Sequence, residues 1–427
     1  MIKNSVEIGL TSERKNALAI AEAGFAAIST RAAIHRSVSI VGDALTVGRA
    51  RVGLHSISRL LIVAVGKCAA DAGAALEEVL GDRIADGVVL DVRATVGLRR
   101  LREYVGTHPM PTSANVAGTR EILTLLTGLK KDDFVIFVIS GGGSTLLSAP
   151  ESGDVNIEAA LLAGLFRAGA DIHEVNTVRK HLSLARGGWL AAKTNPARSV
   201  SLIFSDMPGD DIQFIASGPT VKDETTVADA ERVMAKYDLM KDTGIPEFSF
   251  TETPKDDLLF ARAMHDIIVS NSIALEAMAA RAREFGYATV IRDTAFHGEA
   301  RMLAEKFLEE LHLAKPKTAL LWGGESTVTA KGGGRGGRNL EMALAGLHHV
   351  RAGETFLPFA SDGRDNGEWA GAFCDILTTD TAVRRGLSVE TFLSHNDSYA
   401  FFEQAGHMVV TGPTGANVSD LIIALKQ

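Results

Sequence analysis

The sequence predicts an α/β fold in which a parallel β-sheet is covered by helices on both sides and a second, smaller α/β domain follows. Apolar runs of strand length alternate with helix-period segments along the chain. The runs at residues 60–65 and 134–139 are uninterrupted in apolar residues, which is typical of parallel strands buried on both faces. The chain has 42 glycines and only 11 prolines, as expected for many tight turns between strands and helices.

Each element is predicted from its hydrophobic period, and its ends from turn residues. We predict strands at residues 60–65, 87–91, 104–107, 134–139, 200–204, 267–269, 288–291, 318–322, 356–360 and 408–410. We predict helices at residues 13–33, 66–80, 113–126, 271–285, 297–311, from 339 onward, and at 417–425. A polar stretch at residues 241–257, containing Gly244, Pro246 and Pro254, predicts the linker. The expected domains are residues 1–245 and 246–427.

Length, charge and cysteine content narrow the class of protein. A chain of 427 residues is long enough for two domains. The net charge of −8 argues against a nucleic-acid partner, and the apolar runs are too short to span a membrane. Only Cys68 and Cys374 are present, so the sequence contains no disulfide framework. The N-terminus also lacks the apolar stretch of a signal peptide, and we expect a cytoplasmic protein.

The glycine-rich segment at residues 323–341 predicts an anion-binding loop. Its candidate binding residues are Gly324, Glu325, Gly337, Arg338 and Asn339. Glycines allow a positive φ and a close approach of N–H groups, while Arg offers a planar fork for phosphate or carboxylate oxygens. The helix that follows presents further N–H groups at its N-terminus. The alternative is a flexible surface loop. No Walker motif is present, and the single G-x-G-x-x-G match lacks a preceding apolar strand, which disfavours a simple nucleotide-loop enzyme.

A second glycine-rich turn follows the predicted strand at residues 134–139. Its candidate phosphate-binding residues are Ser140, Gly141, Gly142, Gly143 and Ser144. Lys67 follows the strand at residues 60–65 at the start of a helix, where a cation is unfavourable unless an anion shares the site. Because ligands bind beyond the carboxyl ends of parallel strands, we expect both features at one edge of the sheet. The alternatives are a plain strand-to-helix turn and a surface lysine.

A polar stripe is predicted on one helix at residues 176–183. Asn176, Arg179, Lys180 and Ser183 are spaced to lie on one helical face. An amide, two cations and a hydroxyl in this arrangement either line a ligand cleft or form a solvated face. The sequence leaves both interpretations open.

Two aspartates that follow apolar strands are candidate Mg²⁺ ligands. Asp206 and Asp362 are placed as expected for an ion that is bound by one or two carboxylates together with phosphate oxygens. Either is alternatively a base that positions a hydroxyl group. Asp365 is more typical of a turn or a helix cap.

Together these segments resemble the glycerate 2-kinase family, the class II kinases with a C-terminal MOFRL domain that are often labelled hydroxypyruvate reductase. The resemblance covers nearly the whole chain. It depends on the segments at residues 65–70, 107–111, 140–147, 176–183, 205–210, 215–220, 323–341 and 411–418. It implies a Rossmann-like first domain, a smaller α/β second domain and an active site in the cleft between them.

The resemblance also implies ATP- and Mg²⁺-dependent phosphorylation of D-glycerate at its 2-hydroxyl. The family's suspected transition-state stabilisers, a lysine and an arginine, match Lys67 and Arg338, in agreement with the charge argument. The expected partners are then ATP and a small hydroxy acid, and assembly as a homodimer is left open. The alternatives are a kinase for erythronate or threonate, an NAD(P)-dependent hydroxypyruvate reductase, and a silent relative that only binds an acid. The absence of a complete dinucleotide-binding unit disfavours the reductase.

One segment departs from the family pattern. Where the family commonly reads Thr-Asp-Gly-Ile-Asp-Gly-Pro-Thr, this chain reads Ser-Asp-Gly-Arg-Asp-Asn-Gly-Glu from Ser361 to Glu368. Arg364, Glu368 and Trp369 change size and charge near the expected cleft. The identity of the hydroxy acid therefore stays open.

Overall fold

The computed structural model describes residues 1–94, 97–151, 154–207, 209–239 and 248–427. Its chain forms two compact units, which we name by their main sheets. The parallel-sheet unit contains Ala33–Ser205 and Asp210–Ile268, and the mixed-sheet unit contains Met1–Ala32, Asp206–Gly209 and Val269–Gln427. The predicted α/β class is confirmed.

The parallel-sheet unit contains a small antiparallel sheet and a six-stranded main sheet. The small sheet is formed by β1 (Val38–Val41), β2 (Ala44–Val47) and β3 (Ala50–Gly53). The main sheet is formed by β4 (Leu60–Val65), β5 (Ile84–Asp91), β6 (Arg102–Val105), β7 (Phe134–Ile139), β8 (Arg198–Phe204) and β9 (Ala263–Val269). Its order is β6-β5-β4-β7-β8-β9, and the pairs from β6 through β8 are parallel.

Helices cover this sheet because its central strands are apolar on both faces. Every residue of β4 and β7 is buried. The helices are α4 (Ala69–Leu80), α5 (Ser113–Leu125), α6 (Gly143–Leu146), α7 (Val155–Arg167), α8 (Ile172–His181), α9 (Trp189–Thr194) and α10 (Val227–Lys236). Leu161 and Leu165 of α7, Val178 of α8 and Met234 of α10 share one apolar cluster, which holds α8 in place.

The mixed-sheet unit is built on a seven-stranded sheet. Its strands are β10 (Ala288–Glu299), β11 (Thr318–Thr327), β12 (Glu354–Ala360), β13 (Gly371–Ala372), β14 (Cys374–Asp375), β15 (Met408–Val409) and β16 (Asp420–Lys426). The order is β10-β11-β16-β12-β13-β15, and β14 pairs with β12. Strands β10 and β11 are parallel, whereas β16 runs antiparallel to both of its neighbours. The helices are α1 (Ser5–Ile8), α2 (Ser12–Ile28), α11 (Asn271–Glu284), α12 (Ala300–Leu313), α13 (Arg338–Gly346), α14 (Ile376–Arg385), α15 (Val389–Ser394) and α16 (Ser398–Ala405).

The N-terminal helix α2 packs within the mixed-sheet unit. Gly24 lies so close to α11 that a Cβ there would come within 2.8 Å of Met278 Sδ. Buried Arg14 forms a salt bridge of 2.6 Å with Asp375. These contacts explain why Met1–Ala32 joins the C-terminal strands rather than the first predicted domain. The predicted boundary between residues 245 and 246 lies outside the described residues.

Some predictions of secondary structure are wrong. Residues 417–425 were predicted as a helix, but they contain the central strand β16, whose apolar residues are buried. A uniformly apolar run has no period, so its tertiary neighbours decide its conformation. The predicted helix at residues 13–33 is divided at Ser29 into α2 and α3 (Thr30–Ser37). Within the described ranges, no single helix has the length and apolarity to cross a membrane; the bent pair of α2 and α3 passes by length and composition only.

Candidate functional site

The ends of β4 and β7 in the parallel-sheet unit are joined by close contacts and hydrogen bonds around Gly66. Gly66 has a φ of +122°, and a Cβ there would lie 2.0 Å from Ser140 Oγ. Only glycine fits this position. The amide of Ser140 donates to the carbonyl of Val65 (3.0 Å), and the amide of Lys67 donates to the carbonyl of Gly141 (2.9 Å). The turns after β4 and β7 therefore form one rigid surface, as the sequence predicts, and Ser140 is a buried part of its framework.

Lys67 lies beside the glycine turn at residues 141–143. A Cβ at Gly142, which has a φ of +83°, would lie 3.1 Å from Lys67 Cγ and 3.5 Å from His108 Cδ2. The Lys67 side chain is exposed, and among the described residues its ammonium has no hydrogen-bond or ion-pair partner. Burial lowers the pKa of His108, and the positive charges of Lys67 and Arg179 lower it further. Lys67 and His108 therefore both lie against this turn, and the charge of Arg179 also acts on His108.

The N-terminus of the helix that follows Lys67 already binds a carboxylate of the protein. Helix α4 begins at Ala69, and the amide of Ala70 donates to the buried carboxylate of Asp91 at 2.9 Å. Burial raises the pKa of Asp91. Lys67 thus precedes the helix, and Asp91 rather than a ligand satisfies the N–H group of Ala70.

Ser217 joins the site and was missing from the predicted set. Its Oγ donates to Asn176 Oδ1 at 2.6 Å and lies 2.9 Å from Ser144 Oγ. Asn176 Nδ2 donates to the carbonyl of Ile172. Ser217 has a positive φ of 59°, a backbone conformation that residues other than glycine rarely adopt. Only the structure reveals this conformation. The hydroxyl of Ser217 links the glycine turn to α8.

The polar stripe on α8 is used in two different ways. Lys180 is buried and forms an ion pair of 2.9 Å with buried Asp223, so its ammonium does not line a ligand site. This contradicts the prediction that Lys180 binds substrate or phosphate. Arg179 is only 7% exposed, and its Nε is buried without a hydrogen-bond partner among the described residues. Burial, followed by the neighbouring charge of Arg186, lowers the pKa of Arg179 to about 10.

In the mixed-sheet unit, two carboxylates orient Arg338. Its Nε lies 2.9 Å from Asp420 Oδ2, its Nη2 donates to Asp420 Oδ1 at 3.1 Å, and its Nη1 donates to Glu325. Burial alone would lower the pKa of Arg338, but the charges of Asp420 and Glu325 raise it. Asp420 begins β16 between Gly324 of β11 and Ala360 of β12. It was missed because the segment was predicted to be a helix.

Asp365 caps the helix that carries Arg338, as its sequence context suggested. Its carboxylate accepts from the amides of Asn339 (3.0 Å) and Leu340 (2.7 Å). Asn339 Nδ2 donates to Asp420 Oδ1 at 2.8 Å and to Asp365 Oδ1 at 3.2 Å. Burial raises the pKa of Asp365 to about 7. The N-terminus of α13 therefore binds a carboxylate of the protein, where the sequence predicted a ligand.

The glycine-rich loop is shaped by close packing. None of the glycines at positions 332–334, 336 and 337 has a φ in the left-handed region, contrary to the expected use of glycine there. A Cβ at Gly332 would lie 2.2 Å from the carbonyl oxygen of His395, and one at Gly337 would lie 2.2 Å from that of Asp365. Gly324 is buried inside β11, where a Cβ would collide with the backbone of Phe296. Packing inside β11 thus accounts for glycine at this position, and the role of Gly324 in phosphate binding stays a prediction.

This loop lines a cavity of about 590 Å³ within the mixed-sheet unit. Arg335, Arg338 and Arg364 contribute to its wall. The guanidinium of Arg335 lies 3.8 Å from the centre of the Tyr399 ring, and Trp369 stacks on Tyr399 with ring centres 4.0 Å apart. Two of the three departures from the family pattern, Trp369 and Glu368, thus support Arg335 through Tyr399, whose hydroxyl donates to Glu368 at 2.7 Å.

The two predicted metal ligands are linked through the ends of β12 and β16. Ser419 Oγ donates to the carbonyl of Asp206 at 3.3 Å, and the carbonyl of Ser419 accepts from the amide of Ser361, next to Asp362. Burial raises the pKa of Asp362, whose Oδ1 accepts from the amide of Arg364. Among the described residues there is no cluster of three or more His, Cys, Asp or Glu side chains suited to a metal. One or two carboxylates are enough for Mg²⁺ that also binds phosphate and water.

The chain is similar to known proteins over most of its length. A family model described as a domain of unknown function (DUF4147) matches residues 16–246, and a MOFRL family model matches residues 318–420. The chain is 36% identical over 392 residues to the glycerate 2-kinase of Pyrococcus horikoshii, covering 86% of this chain and 87% of the relative. It is 36% identical over 385 residues to the D-glycerate 2-kinase of Thermotoga maritima, with coverages of 87% and 91%.

Two further similarities concern a differently named relative and a solved structure. A protein of Agrobacterium vitis named putative hydroxypyruvate reductase is 37% identical over 383 residues, covering 85% of this chain and 86% of the relative. The crystal structure of the glycerate kinase of Thermotoga maritima superposes with a TM-score of 0.88 at 32% identity. That superposition covers 97% of this chain and 100% of the other.

Proposed function

This chain belongs to the glycerate 2-kinase family, and on that premise we propose that it transfers the γ-phosphoryl group of ATP to the 2-hydroxyl of D-glycerate. The 2-hydroxyl oxygen forms a bond to the γ-phosphorus, and the bond from that phosphorus to the β,γ-bridging oxygen breaks. The hydroxyl proton is released, and ADP and 2-phospho-D-glycerate are formed. The observation that carries the proposal is the unpaired Lys67 ammonium at a rigid glycine turn, in a chain that aligns with kinases of that name over most of its length.

Lys67 and Arg338 are the cations that we assign to the transferring phosphoryl group. Phosphoryl transfer requires little covalent chemistry from the protein, so positioning and charge stabilisation supply most of the catalysis. An ammonium on a rigid turn and a guanidinium oriented by two carboxylates both suit charge on phosphoryl oxygens. Ser144 and the N–H groups of Gly141 and Gly142 are the further donors that we assign beside Lys67.

We assign ATP to the cavity lined by the glycine-rich loop. A volume of about 590 Å³ is within the range of cofactor pockets and exceeds what a three-carbon acid fills. Arg335 and Arg364 offer guanidinium groups for phosphate oxygens. Asp206 and Asp362 would hold Mg²⁺ together with the nucleotide, and a bound Mg²⁺ neutralises phosphate charge and orients the phosphate oxygens.

A product assay separates this function from its alternatives. The purified chain is incubated with ATP, MgCl₂ and D-glycerate, and both ADP formation and the position of the new phosphate are followed, the latter by ³¹P NMR. We expect ADP and a phosphate on the 2-oxygen. Parallel reactions with D-erythronate and D-threonate test the four-carbon acids. Reduction of hydroxypyruvate with oxidation of NAD(P)H, in the absence of any ADP formation, would assign the reductase activity instead.

A further inference from the structure

Three consecutive basic residues in the last turn of α8 are bonded in different ways. Lys180 pairs with Asp223 at 2.9 Å. The His181 ring lies 2.8 Å from the carbonyl of Thr177 and 3.3 Å from Glu252. Arg179 has no hydrogen-bond or ion-pair partner among the described residues, although it is nearly as buried as Lys180. Location at the C-terminus of a helix favours all three cations equally, so it does not explain why one is left unpaired.

The carboxylate that acts on Arg179 is already bonded to other groups. Glu158 Oε1 accepts from Arg186 at 2.6 Å, and Glu158 Oε2 accepts from Ser148 Oγ at 2.7 Å. Arg186 also donates to the backbone carbonyl of Arg179 at 3.1 Å, which brings a second positive charge close to it. The Arg179 guanidinium lies 5.8 Å from the centre of the Phe166 ring. Its charge therefore has no anionic partner within this region.

Buried arginines are nearly always paired, because an uncompensated buried charge is strongly unfavourable. The protein retains one here, and the lowered pKa of Arg179 reflects the same cost. Strained or destabilising arrangements of this kind are typical of binding sites, where the ligand supplies the missing partner. The missing partner of Arg179 is an anion.

Arg179 belongs to the same surface as Lys67. It lies one helical turn after Asn176, which contacts Ser217 and through it Ser144 of the glycine turn. His108 is close enough to both Lys67 and Arg179 for each to affect its titration. The glycine turn thus contacts Lys67 and is connected through Ser217 and Asn176 to the helix that carries Arg179.

We propose that the Arg179 guanidinium binds the carboxylate of the acceptor, a small 2-hydroxy acid whose hydroxyl then lies toward Lys67. This inference rests on the proposed kinase function. A planar carboxylate matches the two parallel N–H groups of a guanidinium, which an ammonium at that position would not reproduce. Arg179 thus selects acids over neutral polyols and amides, and Lys180 serves only the fold.

Adjacent variants test this assignment through stability. Arg179→Met removes an unpaired buried charge and keeps the aliphatic stem, so the Tm of the free protein stays the same or rises. Lys180→Met leaves Asp223 buried without its partner, so the Tm falls. D-glycerate added without ATP raises the Tm of the wild type, and this rise is lost in Arg179→Met. A fall in Tm for Arg179→Met with an intact response to D-glycerate would show a purely structural role.

Steady-state kinetics distinguish a role of Arg179 in binding the acid from a role in binding the nucleotide. In Arg179→Met we expect the KM for D-glycerate to rise by about 100-fold or more, while the KM for ATP changes little. Arg179→Lys, which keeps the charge, provides a second variant. Its KM for D-glycerate should lie between those of the wild type and Arg179→Met. The wild type should prefer D-glycerate to D-glyceramide strongly, and Arg179→Met should lose this preference. A raised KM for ATP with unchanged acid preference would assign Arg179 to nucleotide phosphate.

The same design distinguishes the inference from the function on which it rests. Wild-type protein that forms no ADP with D-glycerate would overturn the proposed function. The ligand-induced rise in Tm is measured without turnover, with 2-hydroxy acids compared with their amides, and it tests Arg179 in either case. A response to the amides equal to that of the acids would overturn the carboxylate assignment.

Discussion

The two units differ in whether their candidate cations are paired with carboxylates of the protein. In the parallel-sheet unit, Lys67 and Arg179 have no anionic partner among the described residues. In the mixed-sheet unit, Arg338 is bonded to both Glu325 and Asp420. An unpaired cation is ready to bind a permanent anion, whereas a paired guanidinium has its direction set in advance. We therefore expect Lys67 and Arg179 to act by binding an anion, and Arg338 to act as an oriented donor.

The largest effects should come from removing either cation. We expect Lys67→Ala and Arg338→Ala each to lower kcat by about 10²-fold to 10³-fold, with smaller changes in KM, because both are assigned to charge in the transition state. Steady-state kinetics with ATP and D-glycerate measure both constants. The double variant should lose less than the product of the single losses. Lys130→Ala, an exposed lysine elsewhere in the parallel-sheet unit, serves as the control, and near-normal turnover in either test variant would remove that residue from the mechanism.

Loss of a metal ligand should have the next largest effect. Asp206→Asn and Asp362→Asn are each expected to raise the Mg²⁺ concentration for half-maximal rate by about 10-fold to 100-fold. A titration of the initial rate with MgCl₂ measures it. Asp365→Asn is the matched control, because Asp365 caps α13 only three residues away. If both test variants keep the wild-type Mg²⁺ dependence, the metal is held elsewhere.

Substitution of Asp420 tests whether the orientation of the Arg338 guanidinium matters for catalysis. In Asp420→Asn the carboxylate becomes a neutral amide of the same shape, and Arg338 keeps only Glu325 as an anionic partner. We expect kcat to fall by about 10-fold while both KM values stay close to normal, since small displacements of a catalytic group are costly. Unfolding in urea checks that the fold is intact. An unchanged kcat would mean that Glu325 alone orients the guanidinium.

Titration of the buried Asp365 carboxyl group, which caps α13, should contribute to the pH dependence of stability. Because its pKa is raised to about 7 in the fold, the native state binds a proton that the unfolded chain has lost above about pH 4. Stability therefore falls as pH rises from about 4 to 7, by at most about 1.4 kcal/mol per pH unit from this group. Asp365→Asn should flatten the slope of the unfolding free energy in that window. An identical slope in the variant would show that Asp365 stays ionised in the fold.

The smallest effect is expected at Arg364. This side chain is exposed and lines the cavity that we assign to ATP. Exposed charge pairs contribute about 0.2–1 kcal/mol, so Arg364→Ile should raise the KM for ATP by no more than about five-fold. The ratio of kcat/KM between D-glycerate and D-erythronate should not change. A change in that ratio with constant KM for ATP would place Arg364 at the acid site instead of the ATP cavity.

Much of the fold could be predicted from the sequence, while the candidate site could be predicted only in part. The strand Phe134–Ile139 was predicted at its observed ends, because a buried parallel strand needs an apolar run bounded by turn residues. Residues 417–425 were not, because the same apolar run suits a helix or a strand until its neighbours are known. That error also hid Asp420, which partners Arg338.

The sequence by itself predicted the buried strands at residues 60–65 and 134–139 and the glycine turn that follows the second, because these depend on local composition and spacing. The roles of Lys67 and Arg338 stay predictions. Only the tertiary structure decided which charges are used inside the fold. Arg179 and Lys180 are neighbours of the same charge, yet Lys180 is paired with Asp223, 43 residues away in sequence, and Arg179 is not. Pairing depends on distances between segments that no local pattern records. Gly332 and Gly334 show the same limit, since close packing against the backbone of His395 rather than a positive φ requires glycine there.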